Sequence, residues 1–314
     1  MKIDIYTHIL PQKYFAALGK KINLNDYNLT KCQAVGKRDV WDLDIRLKVM
    51  QRYPDVLQVL TISLPPLDKI ISAAEALELC KIANDELAEL VAKHPDKFIA
   101  GVASLPVDDM NLALGEMERA ITQLGLKGIQ LFARVNGEGL DHPKFTPLYE
   151  KMAKYDLPIW IHPVSDDILD EPLFGWPFAT TWAMRGLVAA GVFNDHPNIK
   201  FITHHCGAMV PYFADRIKWM FPGKFKMGDP ARNWVEHFRK FYNDTAVGGN
   251  TPALMCAHSY FGAEHILFGT DAPLGPNSGL TLETINSVQR MEIPEADKEN
   301  IFIQNAVRLL KIAL

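Results

Sequence analysis

Ile3-Asp4-Ile5-Tyr6-Thr7-His8 opens the chain with a mostly apolar run that stops on an imidazole, and this kind of ending decides the fold. Three later segments finish in a similar way. Pro158–His162 ends on histidine, Lys200–His204 runs straight into His205, and Ile266–Thr270 runs into Asp271. Four more short runs, Val56–Ser63, Phe98–Leu105, Gly128–Phe132 and Lys240–Asp244, complete a set of eight candidate strands. Most are rich in Val, Ile, Leu and Phe, as strands buried on both faces should be. Lys240–Asp244 (KFYND) carries the weakest signal.

Amphipathic helical patterns lie between the strands. Ala73, Ala76, Cys80, Ala83, Leu87 and Leu90 recur three or four apart, which predicts a helix over Ala73–Lys93. Met110–Leu124, Phe145–Tyr155, the segment after Pro211 and Lys298–Leu314 read the same way. Strand and helix alternating about eight times imply parallel strands joined by crossovers, either in an open sheet or in a closed barrel. No G-x-G-x-x-G follows the first strand, so a dinucleotide-binding open sheet has little support. The ends of strands one, five and eight would rarely meet in an open sheet. A (β/α)8 TIM barrel gathers all strand ends on one rim. The expected fold is therefore an α/β TIM barrel with two long rim connections, an insertion after strand one (Pro11–Asp44) and an active-site loop after strand five (Val164–Pro177). Rim loops of this length are where pockets and lids are built. The second holds Asp166, Asp167, Asp170, Glu171, Phe174 and Trp176.

No internal repeat or linker interrupts the 314 residues, so 1–314 reads as one domain, a size that barrels commonly reach. A net charge of −4 and the absence of any basic block give no reason to expect nucleic acid. No apolar run approaches the roughly 18 residues that cross a bilayer. Met1-Lys2-Ile3-Asp4-Ile5 does not read as a signal peptide. Cys32, Cys80, Cys206 and Cys256 are scattered, without a C-x-x-C pair, as reduced thiols in a cytoplasmic protein would be.

His8, His162 and Asp271 form an imidazole and carboxylate set drawn from three strand ends, the donors that a divalent cation with an open position wants. A lone strand-end His is more often a hydrogen-bonded rim residue, and a lone Asp there commonly caps a helix. The metal reading rests on their coincidence at one mouth. A histidine of strand six is then left to act as acid or base, and strict alternation allows only one of His204 and His205 to face the mouth. By the same rule Tyr6 and His8 share a face. His94, His142, His196, His237, His258 and His265 fall on helices or connections and read as structural.

The segments MKIDIYTHILP, WDLDIRLKVM, IHPV, ITHHCGAMVPYFADRI, FYNDTA and ILFGTDAP resemble the amidohydrolase-related family of the amidohydrolase superfamily, in particular its aminocarboxymuconate-semialdehyde and γ-resorcylate decarboxylase group. The resemblance runs from strand one to the helix at Asn305-Ala306. It implies His8, His162 and Asp271 as metal ligands, His205 as the catalytic histidine, and Arg216 as an arginine reaching a neighbouring subunit's substrate carboxylate, hence a homodimer. The carboxylated lysine of binuclear branches has no counterpart here, so the expected cofactor is one divalent metal ion, with zinc ahead of manganese.

One departure stands out. The family pattern carries His-x-His or Glu-x-His on strand one, and this chain has Tyr6-Thr7-His8. Tyr6 as a phenolate ligand, Tyr6 standing aside from a three-ligand site, and a site that has lost its metal are the three readings. The leading expectation is a nonoxidative decarboxylase of an aromatic or muconate-type carboxylic acid, with His205 and Asp271 handling the proton and Arg216, Trp176 and Phe174 contacting substrate. A hydrolase or hydratase using metal-activated water is the first rival. A metal-free carboxylate-binding barrel is the second. Lys37, Arg38, Arg46 and Arg134 are further candidates for carboxylate recognition, with Arg46 expected as a solvated or structural charge.

Overall fold

The computed structural model describes residues 1–22, 37–62, 65–164, 171–225 and 234–313. The rest of the strand-one insertion and Asp166, Asp167 and Asp170 of the strand-five loop lie outside them. The barrel strands are β1 (Lys2–Ile9), β2 (Val56–Ile62), β3 (Phe98–Gly101), β4 (Ile129–Phe132), β5 (Pro158–His162), β6 (Lys200–Thr203), β7 (Tyr242–Asp244) and β8 (Ile266–Leu267). All ladder pairings among them are parallel, β1-β2-β3 in one run and β8-β7-β6-β5-β4 in the other. Two bridges join the runs into a closed cylinder, Ala103 with Ile129 and Thr7 with Ala272. The second seam continues in main-chain bonds: Ile5 N–H donates to Phe268 O, and Asp271 N–H to Tyr6 O, both at 2.9 Å. Closure brings β8 beside β1, which an open sheet would keep apart. This is a TIM barrel.

The expected strands recur with trimmed ends. β7 begins at Tyr242 because a 3-10 turn over Phe238–Lys240 precedes it. β8 is ladder-paired over two residues only, and its continuation to Asp271 is held by the bonds to β1. A hairpin of Arg134–Val135 with Glu138–Gly139, just beyond β4, carried no sequence signal. Helix Ala73–Lys93 forms as expected. Ser72 caps its start reciprocally with Glu75, and Ala76, Leu79, Cys80, Ala83, Leu87 and Leu90 are buried. No helix among the described residues is long and apolar enough to cross a membrane.

The floor of the barrel is apolar. Ile3, Ile5, Val59, Ala100, Val102, Trp160, Ile202 and Leu267 pack there with Leu309 and Leu310 of the closing helix. Trp160 Nε1–H donates to Ile5 O at 3.0 Å, so the one polar atom of that buried ring is satisfied. Arg46, expected as a solvated or structural charge, is structural and fully internal. It is 2% exposed and donates to His8 O and to Gln58 Oε1.

Candidate active site

Four imidazoles and a phenol meet at the C-terminal mouth. The His8 and His162 ring centroids are 5.1 Å apart, and Tyr6 lies 4.5 Å from His8 and 6.1 Å from His162. Tyr6 and His8 therefore share the mouth, as their spacing requires, although a β-bulge interrupts β1 between Asp4 and Thr7.

The expectation that only one of His204 and His205 faces this space is not met. Alternation holds only for extended backbone, and the strand ends at Thr203. From His205 through Ala208 the chain runs left-handed, with φ of 54°, 58°, 74° and 51°. Non-glycine residues rarely occupy that region, and such strain collects at functional sites. As a result His204 stacks face-on to Tyr6, at 3.4 Å and 14°, while His205 meets the same ring edge-on at 6.4 Å. Sequence reasoning missed His204. It also missed Asp244 at the end of β7, whose Oδ2 lies 2.7 Å from His204 Nδ1. Gly269 permits this crowding, since a Cβ there would come within 2.8 Å of Asp244 Cβ and 3.1 Å of Tyr6 Cβ.

The hydrogen bonds around these rings settle their tautomers. Thr61 Oγ1 donates to Thr7 O and so accepts from His8 Nδ1–H at 3.0 Å. His162 Nδ1–H donates to Pro163 O at 2.8 Å, and His204 Nδ1–H to Asp244 Oδ2. Each of the three rings is thus left with an Nε2 lone pair, the arrangement in which metal-binding histidines are usually held. His8 Nε2, His204 Nε2 and Asp271 Oδ1 are buried without a hydrogen-bond partner. His8 Nε2 and Asp271 Oδ1 face each other at 3.0 Å. At that range either a proton on His8 Nε2 or a cation shared by the two atoms satisfies both. Asp271 is itself held at φ 64°. Among the described residues no three His, Cys, Asp or Glu side chains stand, as they lie, where they could hold one cation, so coordination asks the side chains to turn inward. The donor chemistry and the orphaned atoms fit a divalent cation.

Electrostatics agree. Burial above all, then neighbouring His8 and His204, holds His162 well below the usual imidazole range. Burial, then His205, does the same to His204. Both rings stay neutral, as ligands must. Burial first, then Asp271 and Asp244, lifts the Tyr6 phenol well above its ordinary value. Asp244 is pushed up to about 7 by burial.

The other sequence candidates divide clearly. Trp176 is buried with its ring 5.8 Å from His162, and Phe132 adds a second aromatic wall at 5.3 Å. Phe174 turns outward and is 69% exposed. Arg216 lies away from the histidines in a surface groove with Phe178, Trp182, Met209, Phe213 and Met220. Lys37 reaches the rim and donates to Pro273 O at 3.1 Å, two residues beyond Asp271. Arg38 pairs instead with Asp42.

A TIM barrel whose strand ends gather imidazoles and a carboxylate around one mouth defines a class of metal-centred enzymes. Within it the chain belongs to the amidohydrolase family, whose sequence model matches residues 3–312. It is 31% identical to 2-amino-3-carboxymuconate-6-semialdehyde decarboxylase of Dictyostelium discoideum over 99% of this chain and 91% of that protein. It is 32% identical to the γ-resorcylate decarboxylase of Rhizobium sp. strain MTP-10005 over 86% of this chain and 87% of that protein. A dihydroxybenzoic acid decarboxylase from Polaromonas sp. JS666, solved with manganese and 2-nitroresorcinol, superposes with a TM-score of 0.81 at 26% identity, covering 99% of this chain and 96% of that one.

Proposed function

We propose that this protein is a nonoxidative decarboxylase of an aromatic or muconate-type acid bearing a hydroxyl or enol beside the carboxylate, and that it works with one divalent cation. The observation that carries the reading is the His8–Asp271 pair at 3.0 Å beside the buried, neutral rings of His162 and His204, in a chain whose relatives are named decarboxylases. His8, His162 and Asp271 hold the cation, and Tyr6 borders it. The imidazole-rich set suits zinc, and the manganese of the Polaromonas relative makes that ion the second candidate.

When bound, the cation acts as a Lewis acid on the carboxylate and adjacent oxygen of the substrate. His205 and Asp271 stand beside it as the groups that deliver a proton to the carbon carrying the carboxylate. The C–C bond then breaks, its electron pair returns to the ring or enol system, and CO2 leaves. Trp176 closes the wall beside His162 and excludes water from the mouth, with Phe174 at the outer edge of the loop. Arg216 reaches the substrate carboxylate of a neighbouring subunit. That homodimer is supported by exposed apolar residues beside it, Tyr212, Trp219 and Met220 at 77%, 82% and 52% exposure. Residues 1–314 act as one unit, and the free thiols Cys80, Cys206 and Cys256 suit the cytoplasm.

The test is CO2 release from hydroxybenzoates and muconate-type acids by zinc- and manganese-loaded protein, with ester and amide substrates run alongside. CO2 release that a chelator abolishes supports the reading. Turnover of the esters or amides alone would replace it with hydrolysis.

A further inference from the structure

We propose that His204 takes the metal-ligand place that Tyr6 leaves vacant on β1, so that the ligands are His8, His162, His204 and Asp271. This rests on the metal-centred reading above and goes beyond it by assigning the fourth ligand.

The observations converge on the side chain that departs from the family pattern. Tyr6 stands where that pattern has His or Glu, and the His204 ring lies directly against it at 3.4 Å. His204 is completely buried. Its Nδ1–H is fixed by Asp244, a carboxylate–histidine pair of the kind that orients metal ligands. Its Nε2 is buried and has no partner. Other ring nitrogens are also unpartnered, such as those of His94 and His237, but His204 combines this with complete burial and a carboxylate on its other nitrogen.

The His8–His162 span also suits shared coordination. Two imidazoles bound through Nε2 at about 2.0–2.1 Å in a tetrahedral site put their ring centroids roughly 5 Å apart. His8 to His162 is 5.1 Å, and His162 to His204, at 6.2 Å, closes to that span only when the His204 ring turns inward. The left-handed turn after Thr203 makes the replacement accessible, because it lets the strand-six end present His204 as well as His205 to the mouth. Tyr6 then serves as the surface against which the new ligand stacks. Three neutral imidazoles and one carboxylate carry the same charge as the His-x-His form of the family, not the Glu-x-His form. With a divalent cation that set carries a net charge of +1, which suits an anionic substrate.

X-ray absorption of the zinc-loaded wild-type protein counts the imidazoles directly and needs no variant. Three imidazoles are expected. Zinc affinity, read by competition with a chromophoric chelator, should fall at least about 100-fold in His204→Ala, and Tyr6→Phe should stay within about threefold of wild type. The double variant with Tyr6→His and His204→Ala should recover most of the affinity, and it remains informative if His204→Ala alone fails to fold. Two imidazoles with a phenolate, or an affinity loss in Tyr6→Phe and not in His204→Ala, would overturn the assignment while leaving a metal site. A wild-type protein that takes up no zinc overturns this inference together with the function proposed above.

Discussion

The floor and the mouth of the barrel are built from the same strands, a few residues apart, and they treat buried polar atoms in opposite ways. On the floor the one polar atom of the buried Trp160 ring has a partner, Nε1–H reaching Ile5 O at 3.0 Å. At the mouth, His8 Nε2, His204 Nε2 and Asp271 Oδ1 have none. A buried polar atom left unpaired costs about 1–3 kcal/mol, and a cation shared by these three atoms would offset that cost. The contrast sets residues that keep the barrel folded against those proposed to hold a ligand. It is also open to attack at several points.

The largest expected effect is at the mouth. His162→Ala should strip the cation and lower kcat/KM by about a thousandfold or more, while the urea midpoint of the metal-free protein stays near wild type. Full metal content and full activity in that variant would end the site assignment. His205→Ala should sharpen the division within the mouth, keeping the metal while turnover falls about 10²–10⁴-fold. An unchanged rate would remove His205 from proton transfer. Asp244→Asn lies one step further back and should weaken metal affinity about 10–100-fold by releasing the His204 tautomer, read in the same chelator competition. On the floor, Trp160→Phe should do the reverse. It leaves Ile5 O unpaired and should cost about 1–2 kcal/mol in chemical unfolding, with metal affinity unmoved. A floor substitution that emptied the metal site would show that the two regions are not separable.

How much of this the sequence carried depends on how local each feature is. The barrel was legible because strand endings on His8, His162 and Asp271 make sense only if distant strands meet on a rim. The meeting of those three side chains at one mouth was legible for the same reason. His204 and Asp244 were not, because their meeting depends on a left-handed run after Thr203 and on glycine at 269, and alternation along an extended strand says nothing of either. The burial of Arg46 was hidden as well, since its partner His8 O lies 38 positions away in the chain. Phe174 shows the opposite failure. Its place in a rim loop pointed to the substrate, but its side chain turns to solvent beside the neighbour that faces inward, Trp176.

The metal content of the purified protein, measured by elemental mass spectrometry before and after reconstitution with zinc or manganese, tests the central claim most directly. The account predicts about one tightly held equivalent per chain. A protein that holds none, even after reconstitution, would contradict it, and the unpartnered atoms at the mouth would then need a different occupant.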